Sequence, residues 1–138
     1  MSGPFVADCS VCIGWIHPSQ STALTKGLLE NAKGGAAVHV PSLWHLEMAN
    51  ALLVAVRRKL MTEAHRQEGL ALLGQLRLII DHETSRIAFS VISDLAARHS
   101  LSAYDAAYLE LARRKSIPLG SRDEALRAAA RKSGVKLL

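Results

Sequence analysis

Pro4-Phe5-Val6-Ala7-Asp8 decides the fold: an apolar run that ends in an acid. Residues 4 to 8 read as a buried strand, and a short helical turn through Val11, Ile13 and Trp15 carries the chain to a break at Pro18. Working outward, Ser19 is expected to cap a helix whose apolar positions Ala23, Leu24, Leu28 and Leu29 keep helical spacing and which Gly34-Gly35 ends. Ala37 to Val40 reads as a second short strand stopped at Pro41. Ser42 to Leu60 reads as a long helix, closed by Arg57-Arg58-Lys59 where cations suit the macrodipole. Thr62 caps another helix to about Leu76. Leu78 to Ile80 is wholly apolar, so a third strand covered on both faces is expected there. Helices at Thr84 to His99 and Ser102 to Lys115 precede a strand at Ile117 to Ser121, a helix at Asp123 to Ser133 and a closing strand at Val135 to Leu138. Strands alternating with helices imply an α/β fold: a mainly parallel β-sheet with helices on both faces.

The 138 residues suit a single domain spanning 1–138, which at this size buries about 68% of its unfolded surface. No apolar run approaches the roughly 20 residues that a bilayer span needs, so no membrane association is expected. Met1 to Pro18 contains an acid and lacks a basic start and a small-residue cleavage site, which makes the cytoplasm the expected location. The net charge is +5 and the isoelectric point about 9.6. A basic surface suits a polyanionic partner. Cys9 and Cys12 form a C-x-x-C, but there is no second such pair, and the histidines at 17, 39, 45, 65, 82 and 99 show no metal-ligand spacing. Small buried apolar thiols are the expected reading, with a redox pair as the alternative.

Three further acids recur at element boundaries: Glu47, Asp105 and Asp123. With Asp8 they fall near strand ends or helix starts, where an open α/β sheet builds its ligand crevice. Carboxylates gathered there repel, by roughly 4 kcal/mol for two charges about 4 Å apart at an effective dielectric near 20, so they call for protons or cations. Each acid also has a plainer reading. Asp8 could cap the helical turn behind it, and Ser10 could orient Asp8 or be another turn residue. Glu47 and Asn50 share a helix face that could be solvated or could line a crevice. Ser102 with Asp105, and Ser121 with Glu124, resemble capping boxes.

Together, three segments resemble a known family: Val6-Ala7-Asp8-Cys9-Ser10-Val11, then Leu46-Glu47-Met48-Ala49-Asn50-Ala51-Leu52, then Leu101 to Tyr108 continuing to Pro118-Leu119-Gly120-Ser121-Arg122-Asp123. They are similar to the PIN-domain ribonucleases, specifically the VapC-type toxins of bacterial and archaeal toxin-antitoxin modules. The resemblance implies a Mg²⁺- or Mn²⁺-dependent endoribonuclease with Asp8, Glu47, Asp105 and Asp123 in its acidic site, a small antitoxin partner and a homodimer. Ser121 would supply the hydroxyl where many relatives carry Thr.

On that footing Asp8 and Asp105 are the expected direct metal ligands, Glu47 and Asp123 bind directly or through water, and Ser10, Asn50 and Ser121 orient the surrounding shell. Arg122, and with it Arg57, Arg58, Arg113 and Arg114, are candidates for holding RNA phosphates, although basic clusters at helix ends are also common solvated termini. Three rivals remain. An aspartyl-phosphate phosphatase would use Asp8 as nucleophile but has Ser10 where its second acid belongs. A receiver-like module would need Asp81 as phosphoacceptor. A non-catalytic PIN-like scaffold would not be expected to retain all four acids.

Overall fold

The computed structural model describes residues 3–138, so Met1 and Ser2 of the expected domain lie outside the described residues. The strands are β1 (Phe5–Ala7), β2 (Val38–Pro41), β3 (Leu78–Asp81) and β4 (Leu119–Gly120). The helices are α1 (Cys9–Cys12), α2 (Ala23–Lys33), α3 (Trp44–Arg57), α4 (Glu63–Gly74), α5 (Thr84–Ile87), α6 (Ser93–His99), α7 (Ala103–Lys115) and α8 (Glu124–Lys132). The strands form one parallel sheet in the order β3-β2-β1-β4. Phe5 pairs with Val38, Val6 with Leu119 and Val38 with Leu78.

β1 lies at the centre for a chemical reason. Successive strand side chains point to opposite faces, and Phe5, Val6 and Ala7 are all buried, so both faces are covered at this strand. α7 packs against β1 and β2 through a segment in which Ala106 to Ala112 are all buried. Elsewhere Leu28 of α2 comes so close to Gly120 of β4 that an added Cβ would stand 2.7 Å from its Cδ1. A side chain there would have to displace the buried Leu28.

Four expectations change on folding. Ser19 lies in a 3₁₀ turn, Pro18–Gln20, and its hydroxyl is bonded to His17. Thr22 caps α2 instead: its Oγ1 accepts from Thr25 N at 3.2 Å while its own N–H donates to Thr25 Oγ1 at 2.8 Å. β3 is an edge strand rather than a covered one, with Ile79 and Ile80 37% and 38% exposed, because only β2 pairs with it. The helix expected over Thr84 to His99 is interrupted by a π-helical turn, Ala88–Ile92. Its wider winding turns Ile92 inward where regular α-spacing from the buried Ile87 would have turned Val91. Finally, the closing strand shrinks to a single bridge between Leu119 and Leu137.

The capping assignment is directly testable. Thr22→Ala is expected to destabilise the protein by about 1–2 kcal/mol, as loss of a cap does, while Ser19→Ala stays within about 0.5 kcal/mol of wild type. Urea denaturation of both variants checks this; equal effects would contradict the assignment.

Candidate active site

β1, β2 and β3 are laid down in one direction across the sheet and β4 on the other side of β1, so the winding reverses between β1 and β4. A crevice opens outside the carboxyl ends of the strands at such a reversal. Asp8 leaves β1 there, and Ser121-Arg122-Asp123 leave β4. Asp8 is the N-cap of α1 and Asp123 that of α8, where its carboxylate accepts from Leu126 N at 2.9 Å. Glu47 and Asp105 sit in the first turns of α3 and α7. A helix N-terminus partly offsets a carboxylate, which is one reason the chain tolerates this placement.

Asp8 is 4% exposed. Its Oδ1 accepts from Ser10 Oγ at 2.5 Å and Val11 N at 3.2 Å, and its Oδ2 from Ser121 Oγ at 2.5 Å. The two hydroxyls are themselves anchored, since Ser10 Oγ accepts from Arg122 N at 2.8 Å and Ser121 Oγ from Asp123 N at 3.0 Å. Asp8 thereby ties α1 to the turn before α8. Burial pushes its carboxyl above the usual range, the bonds from Ser10, Ser121 and Val11 oppose the shift, and the Asp123 charge adds to it.

Glu47 is raised by burial and by the charges of Asp105 and Asp8, against the effect of a hydrogen bond from Tyr108. Asp105 is raised by burial and by Asp123 and Asp8. Three of the acids thus feel the charge of at least one other, which places the four near one another at the carboxyl end of the sheet. Among the described residues, however, no three His, Cys, Asp or Glu side chains form a ready-made metal cage. The acids share an electrostatic field before they share a coordination shell.

Not every expected residue joins them. Ser10 and Ser121 touch Asp8, whereas Asn50 is exposed. Arg122 stands at the rim, its Nη1 donating to Gln20 O at 2.8 Å and to Gln20 Oε1 at 3.1 Å. Arg57 and Arg58 lie at the opposite end of α3 from Glu47, about 15 Å along the axis. Arg113 and Arg114 lie about 12 Å along α7 from Asp105. Arg114 is committed elsewhere, bidentate to Asp81 at 2.8 and 3.0 Å and bonded to Glu110. That pairing removes the ground for a receiver-like use of Asp81.

One of the two capping boxes is revised. Ser102 Oγ accepts from Asp105 N at 3.0 Å as expected, but Asp123 itself caps α8 and Ser121 is spent on Asp8 rather than on Glu124. Cys12 is buried and accepts from Trp44 Nε1, and burial drives both thiols far from the thiolate form, as a structural role requires. Sequence reasoning missed Tyr108, whose hydroxyl donates to Glu47 Oε1 at 2.5 Å. Its spacing of three from Asp105 on one helix face was the available signal.

The fold and this crevice define an α/β protein with an acidic site at its switch point. The family model for the PIN domain matches residues 5–132, and the chain belongs to the PIN domain family. PIN domains are generally a nuclease fold, many in toxin-antitoxin systems, and typically use divalent metal ions. The solved structure of PAE2754 from Pyrobaculum aerophilum is similar in fold, with a TM-score of 0.69 at 19% identity over 97% of this chain and 83% of that one. No curated protein sequence matches the chain.

The mutual repulsion has a sign that can be checked. The folded-state pKa of Asp105 is raised, so its favourable contribution is complete below the unfolded value of about 3.9 and is lost as pH rises through the folded value. Asp105→Asn is therefore expected to raise Tm by about 2–4 °C at pH 7 in chelator, with the gain fading as pH falls towards about 4. Calorimetry across pH measures this; an unchanged or lower Tm at pH 7 would contradict it.

Proposed function

We propose that the protein is a divalent-metal-dependent endoribonuclease of the VapC type, the toxin of a toxin-antitoxin pair, that hydrolyses RNA phosphodiester bonds. The observation that carries this reading is that Asp8 and Asp123 cap the helices that follow β1 and β4, with Glu47 and Asp105 in helix first turns near enough to feel the charge of Asp8, in a chain of the PIN domain family. The donor set fits the metal: all four groups are hard oxygens, and Mg²⁺ keeps several waters, so it does not need a complete protein cage. Mg²⁺ or Mn²⁺ held there would lower the pKa of an attacking water and screen charge on the scissile phosphate.

The chain's own residues supply position. Asp8, fixed by Ser10, Ser121 and Val11 N, presents a carboxylate whose direction is set before any cation arrives. Asp105, in the first turn of α7, would be the second direct ligand, and Glu47 and Asp123 would bind directly or through water. Arg122 keeps its Nε and Nη2 donors without a partner among the described residues, and from the rim these would hold a flanking phosphate. The net charge of +5 supports an RNA substrate. The same reading includes a cytoplasmic, single-domain protein that forms a homodimer and is held inactive by a small antitoxin. The antitoxin would insert an Arg among the acids, where a guanidinium pairs bidentately with carboxylates and displaces metal.

Cleavage of structured RNA by the purified protein is expected with Mg²⁺ or Mn²⁺ and not in EDTA. Asp8→Asn should fold and lose about 10³-fold or more in rate, the several kcal/mol that metal-assisted charge stabilisation supplies. Metal-independent cleavage, or wild-type turnover by folded Asp8→Asn, would reject the assignment. Separately, co-expression with the small protein encoded beside it should suppress both growth arrest and Mn²⁺ binding. A neighbour that forms no complex, or binds while cleavage proceeds at its full rate, would refute the antitoxin while leaving the nuclease standing.

A further inference from the structure

We infer that Tyr108 is a positioning residue for Glu47, its hydroxyl fixing one carboxylate oxygen so that the other is presented to the crevice; this rests on the nuclease reading above. The four acids are not held alike. Asp8 receives three hydrogen bonds, and Asp123 is fixed by Leu126 N in its capping geometry. Glu47 has the longest side chain of the four, sits half-buried, and carries rotamer freedom that must be removed to aim its carboxylate. One short bond restrains it, donated by Tyr108 Oη to Oε1 at 2.5 Å.

The donor is rigid. Tyr108 is 1% exposed, in the buried face of α7, three residues after Asp105. Its Oη also lies 3.8 Å from the Sγ of Cys9, the residue next to Asp8. One hydroxyl on α7 therefore reaches both Glu47 of α3 and Cys9 of α1, and so links the helix that carries Glu47 to the one that carries Asp105. Packing alone does not call for it, since a phenylalanine ring would fill the same volume and bring no polar atom that must find a partner. A partner that orients a ligating carboxylate typically contributes 10- to 100-fold to metal affinity or activity.

The test is a double-mutant cycle on the full chain, read by Mn²⁺ binding in electron paramagnetic resonance and by the split between kcat and KM for RNA. Tyr108→Phe, folded by circular dichroism, is expected to weaken Mn²⁺ binding about 10- to 100-fold and to lower kcat with KM for RNA near wild type. In a Glu47→Ala background, where no side-chain oxygen is left to accept from Tyr108, the same change should add nothing. Glu47→Asp, a methylene too short to meet the hydroxyl, should reproduce the loss without altering the core. Wild-type Mn²⁺ affinity in Tyr108→Phe, or an equal further loss in the Glu47→Ala background, would overturn the inference. Should Tyr108→Phe fail to fold, wild-type affinity in Glu47→Asp would overturn it instead. If the wild-type protein itself binds no Mn²⁺, the nuclease reading and this inference fall together; if it binds and Tyr108→Phe is unaffected, only the inference falls.

Discussion

A carboxylate buried without a basic partner is the constraint on which the rest of the structure depends. Removing the Asp8 charge from water is costly, and the chain offsets that cost with two hydroxyls and a backbone N–H instead of a cation. Those donors come from both ends of the sequence. Ser10 and Ser121 can meet on Asp8 only if β4 is laid beside β1, which is the pairing that creates the reversal of winding. The site and the topology are thus one arrangement seen at two scales.

α7 carries the next layer of dependence. Its buried segment packs on the two central strands, its first turn offers Asp105 and its interior offers Tyr108. Its far end is tied through Arg114 to Glu110 and to Asp81 on the edge strand. The ion pairs lie away from the crevice, and the acids in it are left to repel. A protein that neutralised them internally would gain stability at neutral pH. Such conflict between stability and site chemistry is expected where a function needs concentrated charge.

Much of this was legible in the sequence because it is local. The apolar run before Asp8, the breaks at Pro18, Gly34-Gly35 and Pro41, and the alternation of strands with helices located β1, β2 and the helices that follow. What escaped reading depends on contacts across the chain. Ser19 is the cap that the sequence suggests, and the turn at Pro18–Gln20 moves the helix start on to Thr22. Leu78 to Ile80 looks doubly covered by composition, yet strand order makes it an edge. Ser121 reads both as a cap and as a hydroxyl of the acidic site, and only its distant partner Asp8 decides between them, while the bond from Tyr108 to Glu47 joins residues of two separate helices. The arginines at 57, 58, 113 and 114 read as phosphate ligands by type, but helix length carries them away from the acids.

Anomalous diffraction at the manganese edge from crystals soaked in Mn²⁺ tests the central claim most directly, because it locates the cation rather than its effects. The account expects a peak in the crevice between β1 and β4, with Asp8 and Asp105 as direct oxygen ligands and Glu47 and Asp123 in the first or water-mediated shell. Crystals that take up Mn²⁺ only at other surface acids, with the crevice empty at saturating concentration, would contradict it.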